Sequence, residues 1–96
     1  MIRNLIGNMT QDVYDGVESR HARKLPRELH GKAVRLLDQI NAAPSAGFLR
    51  IPPSNRLEKL RGDRLGYWSL RINAQWRIVF QWEGHDAFNV EIVDYH

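Results

Sequence analysis

Three alternating runs in the last third of the chain constrain its fold more than any other feature. In GYWSLRI, Trp68, Leu70 and Ile72 fall on one side. In WRIVFQW, Trp76, Ile78, Phe80 and Trp82 do the same. In AFNVEIVDY, Val90 and Ile92 share a side, with Glu91 and Val93 opposite. A period of two marks strands that bury one face. Only Asn73-Ala74-Gln75 and a Gly84-His85-Asp86 turn separate the runs, so they read as an antiparallel meander.

The pattern also predicts register. The apolar residues of the first two runs are even-numbered and must share a face, so opposed residues have an even sum. The smallest suitable loop pairs Ile72 with Trp76. It sets Arg71 opposite Arg77 on the polar face, where like charges destabilise by roughly a few tenths of a kcal/mol. Either an anion sits between them, or the guanidiniums splay into water or meet acids from elsewhere.

The preceding sequence is helical. TQDVYDGV suits a short helix with Thr10 as cap and Gly16 as stop. RHARKLPRELHGKAVRLLDQINAAP reads as the main helix, with Pro26 in its first turn and an apolar stripe of Leu29, Ala33, Leu36, Leu37 and Ile40. Gly31 weakens it by roughly 1 kcal/mol relative to Ala, and Pro44 lies just beyond its end. MIRNLIG is a candidate short strand, with Ile2 and either Leu5 or Ile6 inward. SAGFLRIPPSNRLEKLRGDRLG reads as a long connection: Pro52-Pro53 enforces extended backbone, and Gly62 and Gly66 signal turns. Helices first and a meander last predict one α+β domain over residues 1–96, with the helices covering the apolar face of the sheet.

The chain has 96 residues, too few for a second core. With no cysteine, disulfides, thiolate catalysis and cysteine-ligated metal are excluded. His21, His30, His85 and His96 lack ligand spacing, so no metal and no cofactor are expected. The four serines sit in no nucleophile elbow, and no glycine loop cradles phosphate. The start of the chain has no apolar leader and no run suits a membrane span, so a cytoplasmic protein is expected. The three tryptophans read as core and sheet residues.

The net charge of +3, with pI near 9.7, is unevenly spread. Residues 50–77 carry Arg50, Arg56, Lys59, Arg61, Arg64, Arg71 and Arg77 against Glu58 and Asp63. Residues 78–96 carry only Glu83, Asp86, Glu91 and Asp94. RHARK (20–24) adds a basic cluster. The polar face of the sheet would present Arg71 and Arg77, with the preceding loop adding Arg56, Lys59, Arg61 and Arg64. The third strand would end beside them with Asp94, Tyr95 and His96. Phosphate-binding cations, a phenol that can stack and an imidazole that can move a proton suit RNA cleavage by its own 2′-hydroxyl. Singly, each residue also has a purely structural reading. Together they converge on one predicted face.

The run NRLEKLRGDRLGYWSLRINAQWRIVF, followed by VEIVDYH, resembles the HigB or killer toxins of bacterial type II toxin–antitoxin modules, within the RelE superfamily. The motif L-x-G-[DN]-R-x-G-x-x-S-[IL]-R-[IV]-N-x-Q-W-R-[IL]-x-F is long and specific, and the likeness covers roughly the last 45 residues. It implies an mRNA endonuclease that works in the ribosomal A site. It also implies neutralisation by a HigA-like antitoxin with a helix-turn-helix, through which operator DNA is reached. By position, Arg77 would stabilise the charged phosphate, Asp94, Tyr95 and His96 would form the catalytic cluster, and Arg61 would be a basic site residue. The chain departs from some relatives at Glu58, where they place a histidine; a carboxylate there could substitute as acid or base. A ParE-like inhibitor of gyrase, or a non-catalytic RNA- or ribosome-binding toxin, would share the fold without needing the terminal cluster.

Overall fold

A computed structural model describes residues 1–95. His96, expected to belong to the site, lies outside the described residues. The elements are α1 (Asn8–Asp15), α2 (His30–Ala42), β1 (Glu58–Lys59), β2 (Tyr67–Arg71), β3 (Trp76–Glu83) and β4 (Asp86–Asp94), with short 3₁₀ turns between several of them. The strands form one antiparallel sheet in the order β1-β2-β3-β4.

The meander and its register are as the alternation predicts. Leu70 faces Ile78, Trp68 faces Phe80, and Arg71 faces Arg77. The Ile72 amide donates to the Trp76 carbonyl at 2.9 Å. Leu70, Ile78, Phe80 and Val90 are fully buried. They pack with Ala33, Leu37 and Ile40 of α2 and Val13 of α1 in one core. Trp76 belongs to that core, and Trp68 and Trp82 pack at its rim. The other face is less polar than alternation predicts, because Ser69 and Val79 are also fully buried.

The upstream readings need four corrections. The main helix starts at His30, not at Arg20; Ala22–Lys24 and Arg27–Leu29 are 3₁₀ turns. Pro26 is extended at ψ 134°, before the turn and not within the helix, and Leu25 is extended with it. A proline disfavours helical backbone in the residue before it, which splits the segment here. Thr10 does not cap α1. The helix begins after Gly7, and Thr10 is buried inside it, its hydroxyl accepting from the Ile92 amide of β4 at 3.0 Å. Gly16 does end α1, in the left-handed conformation that glycine adopts without strain. The long connection contains β1, with Glu58 opposite Ser69 and Lys59 opposite Trp68, and Pro53 opens a 3₁₀ turn while Pro52 alone is extended. Finally, MIRNLIG makes two parallel bridges to β4, Ile2 with Ala87 and Leu5 with Val90. Leu5 packs on the core and Ile6 is exposed. This segment covers the outer edge of β4, which would otherwise invite pairing with another chain.

One irregularity in β4 matters for the site. Gln81 pairs with Phe88, but Val79 pairs with Glu91, so β4 carries an extra residue between them. Asn89 takes a positive φ of 53° there, a conformation asparagine tolerates better than most residues. Its side chain accepts from Asn4 and donates to Gln81, and its backbone amide donates to the Asn4 side chain.

Candidate functional site

Successive strand residues alternate faces, so the register assigns each candidate to a side of the sheet. Glu58, Ser69, Val79 and Glu91 form one row on the face away from the helices. Arg71, Arg77 and Val93 form the next.

Arg77 is the centre of this open face, its side chain only 16% exposed. Its Nη1 lies 3.5 Å from the Glu58 carboxylate and donates to the Ser69 hydroxyl at 3.2 Å. Its guanidinium sits over the Tyr95 ring, 4.9 Å from the centroid, within cation–π range. Its Nε is buried with no hydrogen-bond partner in the described structure. A buried charged donor without an acceptor among the described residues is unfavourable.

Tyr95 follows β4 and is held at its backbone, where its amide donates to the Gln75 carbonyl at 2.6 Å. The residue is 40% exposed. Asp94 falls opposite Trp76, on the row of the helix-covered face, and its carboxylate accepts from the side-chain Nε2 of Gln75 at 3.1 Å. Asp94 and Tyr95 thus both anchor to the β2–β3 loop and present to different sides.

The remaining cations separate. Lys59 shares the helix side with Trp68, its Nζ 4.9 Å from the ring centroid, not the side of Arg77. Arg64 stacks on Tyr67 at 5.6 Å. Arg61 is exposed, just before the 3₁₀ turn Gly62–Arg64. Arg56 and Arg71 line a hollow beside the β2–β3 loop. Ser69 was not singled out by the sequence reading. Its place directly opposite Glu58 and two residues before Arg71 is visible only once β1 is recognised as a strand.

Comparison with known proteins places this architecture. Small toxins of toxin–antitoxin systems share the fold: a YafQ variant from Escherichia coli superposes with a TM-score of 0.67 at 16% identity, over 98% of this chain and 91% of that one. YoeB in the heterotetrameric YoeB–YefM complex from Staphylococcus aureus gives 0.59 at 20% identity, over 97% and 95%. The family of RelE-like HigB toxins of type II toxin–antitoxin systems matches residues 10–96, and the chain belongs to it. Toxin HigB-1 of Vibrio cholerae is 40% identical over 72 residues, 75% of each chain. Endoribonuclease HigB of Proteus vulgaris is 49% identical over 41 residues, 43% of this chain and 45% of that one. An antitoxin is therefore this chain's counterpart.

Proposed function

We propose that this toxin is a ribosome-dependent endonuclease that cuts mRNA through attack of the RNA's own 2′-hydroxyl. The observation that carries the reading is Arg77. A largely buried guanidinium against a partly exposed tyrosine ring, its Nε without a hydrogen-bond partner among the described residues, is suited to the charge that develops on phosphorus. The name of the Proteus vulgaris relative supports the same activity.

In this mechanism the 2′-oxygen bonds to phosphorus as the bond to the 5′-oxygen breaks, leaving a 2′,3′-cyclic phosphate and a 5′-hydroxyl. Glu58, beside Arg77 on the open face, takes the 2′ proton; His96 gives a proton to the leaving 5′-oxygen. Tyr95 stacks on a base and Arg61 meets flanking phosphate. Asp94 positions the end of β4 through Gln75. The ribosomal A site supplies the mRNA in cells, in the cytoplasm. A HigA-like helix-turn-helix antitoxin neutralises the toxin and carries the complex to operator DNA.

The test is primer extension on cellular mRNA after brief induction. The wild-type chain should produce discrete new 5′ ends inside translated frames. Arg77→Ala should lower their yield about 10²–10³-fold, and Glu58→Gln about 10²–10⁴-fold. Cleavage that survives Glu58→Gln removes Glu58 from proton transfer. Growth arrest with intact mRNA would overturn the nuclease reading in favour of gyrase inhibition or ribosome blocking.

A further inference from the structure

The cations around the β2–β3 end of the sheet divide into two kinds. Arg77 is engaged by Glu58, Ser69 and Tyr95. Lys32 of α2, Arg56 after the Pro53–Asn55 turn and Arg71 at the end of β2 line one open hollow, together with Ser54 and Asn73. None of these three cations is in an ion pair among the described residues. They come from three separate elements, so their convergence is a product of the fold.

The position of Arg56 is built. Its backbone is left-handed, with φ 47° and ψ 56°, which is uncommon outside glycine, asparagine and aspartate. Just before it, Asn55 is buried and donates to the carbonyls of Leu49 and Ile51 and to Gln39. A buried polar anchor thus fixes the turn that aims Arg56. Arg71 lies directly across the strand from Arg77, a Cβ separation of about 5 Å. Arg71, which lines the hollow, is therefore the cross-strand neighbour of the arginine proposed to address the scissile phosphate.

Three cations held together without an acid favour an anion between them. A single phosphate would satisfy the hollow or Arg77. Only a chain of phosphates occupies both at once. We infer that the Lys32–Arg56–Arg71 hollow is a second phosphate subsite, holding the backbone of the substrate RNA strand next to the bond that Arg77 addresses. The inference rests on the nuclease reading above and adds the path of the strand.

Binding of a fluorescent, uncleavable 2′-O-methyl RNA 12-mer to the free protein, measured by anisotropy across a salt series, tests it. Each single-strand phosphate contact contributes about 0.7 to the slope of log affinity against log salt. Lys32→Gln and Arg56→Gln should each remove about 0.7, and the double variant about 1.4, or about 25-fold in affinity at 0.1 M salt relative to 1 M. Arg71→Lys keeps the charge and should keep the slope. Arg35→Gln, which removes the same charge from a different hollow between α1 and α2, should change nothing. Slopes that do not move, or that move equally for Arg35→Gln, overturn the subsite. So does displacement of the RNA by inorganic phosphate at constant ionic strength, which would mean a free-anion site. Weakened pelleting with mRNA-free ribosomes but unchanged RNA binding also overturns it, because ribosomal RNA would then be the ligand. The RNA is not cut, so unchanged slopes and the absence of cellular cleavage are separate results.

Discussion

The two faces of the sheet are built from the same strands and solve different problems. On the helix side, Leu70, Ile78, Phe80 and Val90 reach complete burial against α1 and α2. Their contribution is apolar area removed from water, and any well-packed group of the right volume serves. On the open side, the floor is also dry, with Ser69 and Val79 buried. Above it lie a guanidinium whose Nε has no partner among the described residues, a half-exposed carboxylate and a phenol. The packed core and the proposed site thus lie on opposite faces of one sheet.

The separation can be broken by substitution, and the largest effect belongs to the helix side. Phe80→Ala should lower the free energy of unfolding in urea by about 3–5 kcal/mol. Arg77→Ala, three residues along β3 and on the other face, should change it by less than about 1 kcal/mol, since a partly exposed ion pair stabilises weakly and the buried Nε has no partner among the described residues. Equal losses would mean that the faces are not independent. A smaller effect is expected at Ser69, a positioning residue that holds Nη1 of Arg77. Ser69→Ala should slow cleavage about tenfold, the effect of one charge-assisted hydrogen bond. Ser69→Thr should recover part of that rate, and the unfolding midpoint of both should stay near wild type. Loss of stability without loss of rate would reassign Ser69 to packing.

The smallest effect lies at the far end of β4. The Asp86 carboxylate meets Arg3 Nε at 3.1 Å and the Met1 amino group at 3.4 Å. Desolvation acts to raise its pKa, but the hydrogen bond and charge of Arg3, then those of the amino group, outweigh it and hold the pKa below the ordinary 3.8. A carboxyl depressed on folding stabilises fully above its unfolded pKa, and that contribution fades as pH falls through the folded value. The thermal midpoint should therefore drop below about pH 4 in wild type, and Asp86→Asn should flatten that drop. An identical acid limb in both proteins would remove the clamp from the account.

Much of this architecture is legible in the chain itself, for a physical reason. Alternation over five or more residues reports burial directly, so the meander, the Ile72–Trp76 closure and the Arg71–Arg77 pairing follow from parity. β1 is different. Glu58 and Lys59 are two exposed residues whose strand character exists only in their pairing with β2, so no local pattern betrays them. Without β1, the opposite faces of Glu58 and Lys59 cannot be assigned, and Ser69 has no visible partner. Thr10 misleads because a capping hydroxyl and a buried one look alike in sequence. Lys32 and Arg56 meet only through the packing of α2 against the loop, at a separation that no motif encodes.

The extra residue at Asn89 has a further consequence. The tight Gly84-His85 turn would by itself pair Arg77 with Ile92, and Tyr95 would then emerge among the helices. One added residue shifts the phase of everything after it, pairing Arg77 with Val93 and delivering the phenol to the guanidinium. The end of the chain thus works as a counter read modulo two. A change of one residue beyond the turn exchanges the two faces of the tail, and a change of two restores them. A single insertion or deletion near Asn89 should therefore leave the core face populated by the wrong side chains and the open face without its aromatic lid.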